Sequence, residues 1–264
     1  MARLADLAVT LAAATALFPL AVIFLASLMP PGVPQFPPAS PSTEGYQEAL
    51  KLGFGQSLLN SAVVALLTVA ITVALSAPTG YALARLGFSR QTLLVSVALV
   101  ALTRALPPSS LLVAIYDAFW RLNLLNNLLG LAIAYQVYTL PLGLWLVTAF
   151  AFDYSQEVEH AAQLDGAGPV RRFLHVALPM MAPGMAATAV LSGIEVWGEY
   201  LYAAVLLNSQ DLLTASVKLG HLATSEFRYE WSVLAAASFL STLPPVAFVT
   251  VAARTMTRLA VAKW

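Results

Sequence analysis

The sequence contains no cysteine and carries little charge for its length. Of its 264 residues, 59% are hydrophobic and 10% are charged, whereas a soluble domain carries about 25% charged residues. Without cysteine the chain can form no disulfide, no thiolate metal site and no cysteine nucleophile. The shortage of charge excludes a water-facing surface over most of the molecule, because polar groups have to cover such a surface. Lipid as the surrounding solvent accounts for this composition.

Several kinds of chemistry are also missing. The formal net charge is zero, so no long-range field attracts nucleic acid. No glycine-rich phosphate loop of the G-x-x-x-x-G-K-[ST] type is present, and we expect the chain not to bind ATP itself. The histidines form no metal or nucleophile pattern with the acidic residues, and a membrane-embedded transferase would need clustered acids where only Asp165 stands. We therefore predict neither an enzyme nor a cofactor in this chain.

Long apolar runs take up most of the sequence. A helix that crosses a hydrocarbon core of about 30 Å needs about 20 mostly apolar residues. Six stretches meet this requirement: Ala5–Met29, Ser57–Leu83, Thr92–Leu112, Leu124–Phe150, Pro183–Leu207 and Trp231–Met256. The first is longer than a signal-peptide core and no small-residue cleavage site precedes Pro30, so we expect a retained helix. The Pro107-Pro108 pair is expected to end the third span.

These runs predict an all-α, polytopic membrane protein with six transmembrane helices. Residues 1–30 would hold the first helix, residues 31–56 an extracytoplasmic loop, and residues 57–260 a core of five helices with a cytoplasmic loop at 152–182. Positive residues favour the cytoplasmic side of a membrane. With both termini cytoplasmic, eight basic residues fall inside, and five fall outside or near the outer face. The inner group is Arg3, Arg85, Arg90, Arg171, Arg172, Arg254, Arg258 and Lys263, and the outer group is Lys51, Arg104, Arg121, Lys218 and Arg228.

The loop at 152–182 is predicted to contain two short helices. Ser155 can cap the first, and Asp165-Gly166 is typical of a turn. Gly168-Pro169 would open the second helix, since proline at the first helical position loses no hydrogen bond. Leu178-Pro179 is expected to end it. Apolar residues of the second helix recur at helical spacing, at Val170, Phe173, Leu174 and Ala177. This pattern alone also fits an interfacial helix that lies on lipid headgroups.

The run from Glu159 to Ala167, followed by Leu178-Pro179, resembles the EAA loop of ABC-importer permeases, whose core has the MetI-like fold. The resemblance implies a coupling helix that docks into a groove on a cytoplasmic ATPase subunit. The residues that it assigns to this role are Glu159, His160, Ala161, Ala162, Asp165, Gly166, Ala167 and Pro169. His160 stands where the family usually has glutamate, so no specific ion pair is expected in the loop.

The resemblance also implies partners. They are a second permease subunit, a dimer of ATPase subunits that binds ATP and Mg²⁺, an extracytoplasmic substrate-binding protein and membrane lipid, in the cell membrane. Further runs are similar to the carbohydrate branch of the family and its smaller maltose-type subunit. They are Asn60-Ser61, Gly80–Leu86, Thr139–Pro141 with Trp145, and Trp197–Glu199. Import of polyamine, phosphate or amino acid stays open. A secondary transporter is less favoured, because we see no internal repeat and no basic partner for the membrane glutamates.

Two glutamates lie within the expected fifth span. Glu195 and Glu199 are four residues apart, which places them on one helical face, with Ser192 one turn before. Ionisable groups inside lipid are costly, so this face should point into protein or water. It could line the translocation pathway or make a structural contact between helices. Arg104 is expected to extend its side chain to the headgroups.

Overall fold

The computed structural model describes residues 2–30, 36–85, 90–224 and 231–261, and every regular element in those ranges is a helix. The all-α prediction is confirmed there. In chain order the α-helices are α1 (Ala2–Ser27), α2 (Glu44–Lys51), α3 (Phe54–Arg85), α4 (Arg90–Ala105), α5 (Pro108–Arg121), α6 (Leu128–Ala134), α7 (Gln136–Asp153), α8 (Gln156–Leu164), α9 (Pro169–Arg172), α10 (Leu178–Met180), α11 (Ala182–Trp197), α12 (Leu201–Leu206), α13 (Ala215–Thr224) and α14 (Trp231–Val261). A π-helical turn spans Phe173–Ala177 and a 3-10 turn spans Gln210–Leu212. Residues 31–35, Leu86, Arg228 and Lys263 lie outside the described residues.

Several helices are long and apolar enough to cross a membrane. Within the described ranges, α3 and the Trp231–Thr250 part of α14 qualify as single helices. Three further pairs of consecutive helices, each bent by more than 40°, qualify when a pair counts as one span. Length and composition therefore support two spans, or up to five, and the predicted six remain a prediction.

The third and fourth expected spans are each divided in two. The single helix expected over Thr92–Leu112 ends at Ala105, and α5 begins at Pro108. A proline disfavours helical backbone in the residue before it, so Pro107 is extended while Pro108 takes the first helical position. The fourth expected span, Leu124–Phe150, begins only at α6 and bends by 53° between α6 and α7.

One of two compact units of the chain comprises Met1–Asn60 and Leu213–Val246. Its buried apolar cluster consists of Ala49, Phe54, Ala215, Leu222, Val233 and Ala237. The Asn60 amide donates a hydrogen bond to the Leu213 carbonyl at 3.0 Å. The hydroxyls of Ser27 and Tyr46 lie 2.5 Å apart, which ties α1 to α2.

The other unit comprises Ser61–Leu212 and Ala247–Trp264. Within it, α3, α7 and α11 approach each other closely through small and hydroxyl-bearing residues, as transmembrane helices commonly do. The hydroxyl of Thr72 on α3 lies 2.9 Å from that of Thr139 on α7. A Cβ atom at Gly143 of α7 would lie 2.8 Å from Thr72 Cγ2 and 2.9 Å from Thr188 Cγ2 on α11. Gly143 therefore lies where α3, α7 and α11 pack closely against one another.

Candidate functional site

The first helix of the predicted loop, α8, is capped as the sequence indicates. The Ser155 hydroxyl accepts a hydrogen bond from the Glu157 backbone N–H at 3.2 Å. Glu157 and Glu159 lie in the first turn, where carboxylates complement the partial positive charge of a helix N-terminus. The predicted start of this helix is confirmed.

A tight turn after α8 sets the direction of the second loop helix. Gly166 has a φ of +82°, a left-handed conformation that favours glycine. Its N–H donates to the Gln163 carbonyl at 3.0 Å, and the Ala167 N–H donates to the Ala162 carbonyl at 3.0 Å. This pair of bonds is a Schellman motif, which satisfies carbonyl groups at the end of the helix. The predicted turn at Asp165-Gly166 is confirmed.

The second loop helix begins at Pro169, as predicted, with extended Gly168 before it. The predicted break before the next span is confirmed, although the helix ends at Met180 rather than at Leu178-Pro179. It continues through the π-helical turn and α10, and the chain bends by 65° between Pro169–Met180 and α11. Pro179 is tolerated as the second residue of α10, because the regular hydrogen-bond ladder is already interrupted in the π-helical turn that precedes α10.

Three apolar side chains of the loop are exposed. Leu164 is 90% exposed, Val170 69% and Leu174 48%. We call these three residues the loop face. Ala177, by contrast, belongs to a buried cluster, and Phe173 packs against that cluster. Its members are Val147, Ala151, Tyr154, Ala177 and Met181. The predicted apolar stripe is thus divided between the protein interior and an unpartnered surface.

The residues of the EAA-like motif separate into two groups. His160, Ala161, Asp165, Gly166 and Pro169 are exposed, while Ala162 and Ala167 are half-buried. Glu159 points inward and is only 6% exposed. The motif therefore has an outward side next to the loop face and one acidic side chain directed toward the rest of the protein.

Glu159 is held by three side chains. The Tyr81 hydroxyl donates to Glu159 Oε2 at 2.7 Å, and the Tyr154 hydroxyl donates to Oε1 at 2.5 Å. Arg85 Nε lies 3.5 Å from Oε1, and both charged side chains are 7% exposed. Burial, together with the hydrogen bond to Glu159, raises the pKa of the Tyr154 hydroxyl, which therefore stays protonated as a donor.

The expectation of no specific ion pair in the loop is thus wrong at Glu159. Tyr81, Arg85 and Tyr154 were not predicted from the sequence to contact Glu159. Two weak signals pointed to them. Tyr81 and Arg85 are four residues apart at the end of an apolar helix, hence on one face, and Tyr154 directly precedes the capping serine.

The second group of candidate residues comprises Ser192 and Glu195 on α11 and Glu199 just after it. Arg104 Nη1 donates to Glu195 Oε1 at 2.6 Å, and Nη2 donates to Oε2 at 3.2 Å. The side chains are 35% and 29% exposed. The expectation that the membrane glutamates have no basic partner is therefore wrong at Glu195, whereas the extension of Arg104 to the headgroups stays a prediction. Ser192 lies on α11, as Glu195 does, and is fully buried.

Glu199 does not share a helical face with Glu195, contrary to the expectation. Helix α11 ends at Trp197, so the four-residue spacing no longer places the two side chains together. The Glu199 carboxylate accepts a hydrogen bond from the Tyr135 hydroxyl at 2.7 Å, and others from the backbone N–H groups of Tyr202 at 2.9 Å and Ala203 at 3.2 Å. It thereby caps α12 and links it to the bend before α7, which favours a structural contact.

Long apolar helices indicate a membrane protein, and comparison with known proteins shows which class of membrane protein it is. Residues 76–257 match the family described as the binding-protein-dependent transport system inner membrane component. A putative ABC transporter permease protein, ORF1, of Streptomyces antibioticus is 37% identical over 75% of this chain and 86% of its own length. The trehalose transport system permease protein SugB of Mycobacterium tuberculosis is 32% identical over 91% of this chain and 89% of its own length.

A solved structure shows the same fold. It is a bacterial ABC transporter involved in the import of the acidic polysaccharide alginate, with a TM-score of 0.78 and 21% identity over 96% of this chain and 95% of that chain. The chain therefore belongs to the family of inner-membrane permease components of binding-protein-dependent transport systems. The family resemblance drawn from the EAA-like motif is confirmed.

Proposed function

We propose that this chain is the permease subunit of an ATP-driven importer for a sugar or oligosaccharide. The observation that carries the coupling role is the loop at 152–182, a capped and turn-defined helical element with an exposed apolar face. Support for the cargo comes from the names of three relatives. One specifies trehalose, a second specifies both trehalose and maltose, and a third specifies diacetylchitobiose. The loop supports ATP-driven import over secondary transport, because a self-sufficient transporter needs no such docking surface.

The proposed assembly contains a second permease, two ATPase subunits and an extracytoplasmic binding protein. ATP and Mg²⁺ would bind to the ATPase subunits, where hydrolysis takes place. This chain would cross the cell membrane six times with cytoplasmic termini. The exposed edge of the Arg104–Glu195 pair would face the translocation pathway. Ser192, which is fully buried, and Glu199 would instead stabilise the packing of the helices beside it.

The loop face would dock into a groove of the ATPase subunit. Amphipathic helices bind to proteins by laying an apolar face into such a groove. The three residues of the face stand 48% to 90% exposed in the isolated chain. Exposed apolar side chains on consecutive helical elements support an interaction site over a solvated loop.

Leu164→Glu is expected to prevent stable binding of the ATPase, because it places a charge in the apolar contact. The measurement is co-purification of the ATPase with the tagged chain, and we expect recovery to fall at least tenfold. Leu122→Glu, at a leucine that is 64% exposed after α5, is the matched control and should leave recovery unchanged.

Normal recovery with Leu164→Glu would contradict docking through the loop face. A stronger test of the whole proposal uses the isolated chain in proteoliposomes. If it moved substrate along an ion gradient without any ATPase, the importer function would be refuted and secondary transport would replace it.

Gly166→Val is expected to reduce coupled transport several-fold while the helices stay folded. A β-branched residue is strained at a φ of +82° by about 1–2 kcal/mol, but a Cβ atom here meets nothing within 4 Å among the described residues. Gly166→Asn is the control, since asparagine tolerates this conformation. We expect it to keep most of the transport in the reconstituted complex. Equal transport by the two variants would show that the turn geometry is unimportant.

A further inference from the structure

A buried polar cluster lies where the loop meets the membrane helices. We call Tyr81, Arg85, Tyr154 and Glu159 the loop clamp. Arg85 is the last residue of α3, Tyr154 follows α7, and Glu159 lies in α8. One carboxylate thus joins the end of a long apolar helix, the end of a second helix and the first helix of the loop.

The contacts within the loop clamp are mutually supporting. Besides its ion pair, Arg85 donates a hydrogen bond from Nη2 to the Tyr154 carbonyl. Its guanidinium carbon lies 4.1 Å from the centre of the Tyr154 ring, a cation–π distance. Tyr154 therefore contacts Arg85 and Glu159 at the same time, which fixes the arginine and the carboxylate relative to each other.

The second loop helix is attached to the same place. The rings of Tyr81 and Phe173 lie 5.2 Å apart at an interplanar angle of 50°, an arrangement typical of packed aromatic pairs. Tyr81 thus contacts Glu159 through its hydroxyl and the π-helical turn through its ring. Both loop helices are fastened to the last turn and a half of α3.

Burial separates Glu159 from the residues that would meet a partner. A docking side chain has to be accessible in the free chain, as Leu164 is at 90% exposure, and Glu159 at 6% is not. A buried charge also has to keep its partner, since removal of one member of such a pair leaves an uncompensated charge. The contacts within the loop clamp are therefore expected to persist when a partner displaces the loop.

We propose that Glu159 is a positioning residue that makes the loop and α3 move as one body. The inference rests on the proposed coupling role of the loop and deepens it. A displacement of the loop face by the ATPase then reaches α3 through the clamp instead of being absorbed by bending of the chain at residues 154–155. The outward residues of the motif bind the partner, while Glu159 transmits the displacement.

The test compares Glu159→Gln with Glu157→Gln in the assembled complex. Glutamine keeps the size of the side chain and removes its charge. The measured quantity is the number of substrate molecules transported per ATP hydrolysed. We expect it to fall about tenfold for Glu159→Gln, with the ATPase still co-purifying, and to stay unchanged for the exposed Glu157→Gln. Tyr81→Phe removes one hydroxyl and keeps the ring contact, and its ratio should fall about threefold.

A distance measurement gives a readout that does not depend on transport. The chain has no native cysteine, so Leu75→Cys on α3 and Ala161→Cys on α8 can carry two spin labels without background. In the full-length chain we expect a narrow distance distribution, and a clearly broader one when Glu159→Gln is added.

The outcomes separate the inference from the proposed function. If Glu159→Gln leaves both the transport ratio and the distance distribution unchanged while Leu164→Glu still releases the ATPase, the inference is overturned and the importer function stands. If no ATPase binds to the unmodified chain, the proposed function fails instead. Should Glu159→Gln not fold, Tyr81→Phe decides, because an unchanged transport ratio in that variant overturns the positioning role.

Discussion

Gly143→Ala is expected to destabilise the chain by about 1–3 kcal/mol, the usual cost of overpacking a buried site. The added Cβ atom would lie 2.8 Å from Thr72 Cγ2 and 2.9 Å from Thr188 Cγ2, which is closer than carbon atoms approach in proteins. Both threonines are fully buried on flanking helices, so rotation of either side chain would displace the atoms packed around it. Alanine favours helix over glycine by up to about 1 kcal/mol, so a net loss would show that the crossing outweighs helix propensity.

The measurement is the free energy of unfolding by denaturant titration in detergent. Gly198→Ala adds the same methyl group where a Cβ atom would meet nothing within 4 Å in the part of the chain that the structure describes. It should change the free energy of unfolding by less than about 0.5 kcal/mol. Thr188→Ser removes the clashing methyl and should recover part of the loss in the double variant. Equal effects at Gly143 and Gly198, or no recovery, would refute the close crossing of α3, α7 and α11.

Arg104→Met is expected to destabilise the chain by about 1–3 kcal/mol, since it leaves the Glu195 carboxylate without its partner inside an apolar helical region. The expected loss is below the cost of breaking a fully buried pair, because the two side chains are 35% and 29% exposed. The expected loss exceeds the contribution of a surface ion pair to stability, because Nη1 and Nη2 of Arg104 each donate to one carboxylate oxygen.

A double-mutant cycle with Arg104→Met and Glu195→Gln isolates the pair. The matched control is the cycle on Arg121 and Asp117, an exposed pair on one helix at 3.0 Å with side chains 69% and 57% exposed. We expect a coupling energy of about 2 kcal/mol for the first pair and less than about 0.5 kcal/mol for the second. Equal coupling energies would mean that Arg104 and Glu195 face bulk water and form no defined contact.

The loop shows which features were predictable. The cap at Ser155, the turn at Gly166 and the helix start at Pro169 follow from interactions over two to five residues, which any chain with these residues can make. The sequence also predicted the break near Pro179, but neither the exact end at Met180 nor the π-helical turn before it was predictable. The effect of Pro179 depends on a π-helical turn, and short-range propensities do not indicate where such a turn forms.

The candidate glutamates show the opposite case. Their four-residue spacing is informative only while the helix continues, and α11 ends at Trp197, between them. The partner of Glu195 is 91 residues away along the chain, and the hydroxyl that contacts Glu199 is 64 residues away. No local pattern identifies such partners.

Composition and hydrophobic patterning by themselves determined that the chain is helical and suited to lipid, because the solvent selects which side chains a surface can carry. They also determined the local shape of the loop, whose hydrogen bonds close within a few residues. Only the tertiary structure decided that Glu159 faces inward to Arg85, that Arg104 pairs with Glu195, and that Gly143 lies at a helix crossing. These contacts join residues far apart in the chain, and their existence depends on how whole helices pack, which pairwise spacing in a sequence does not encode.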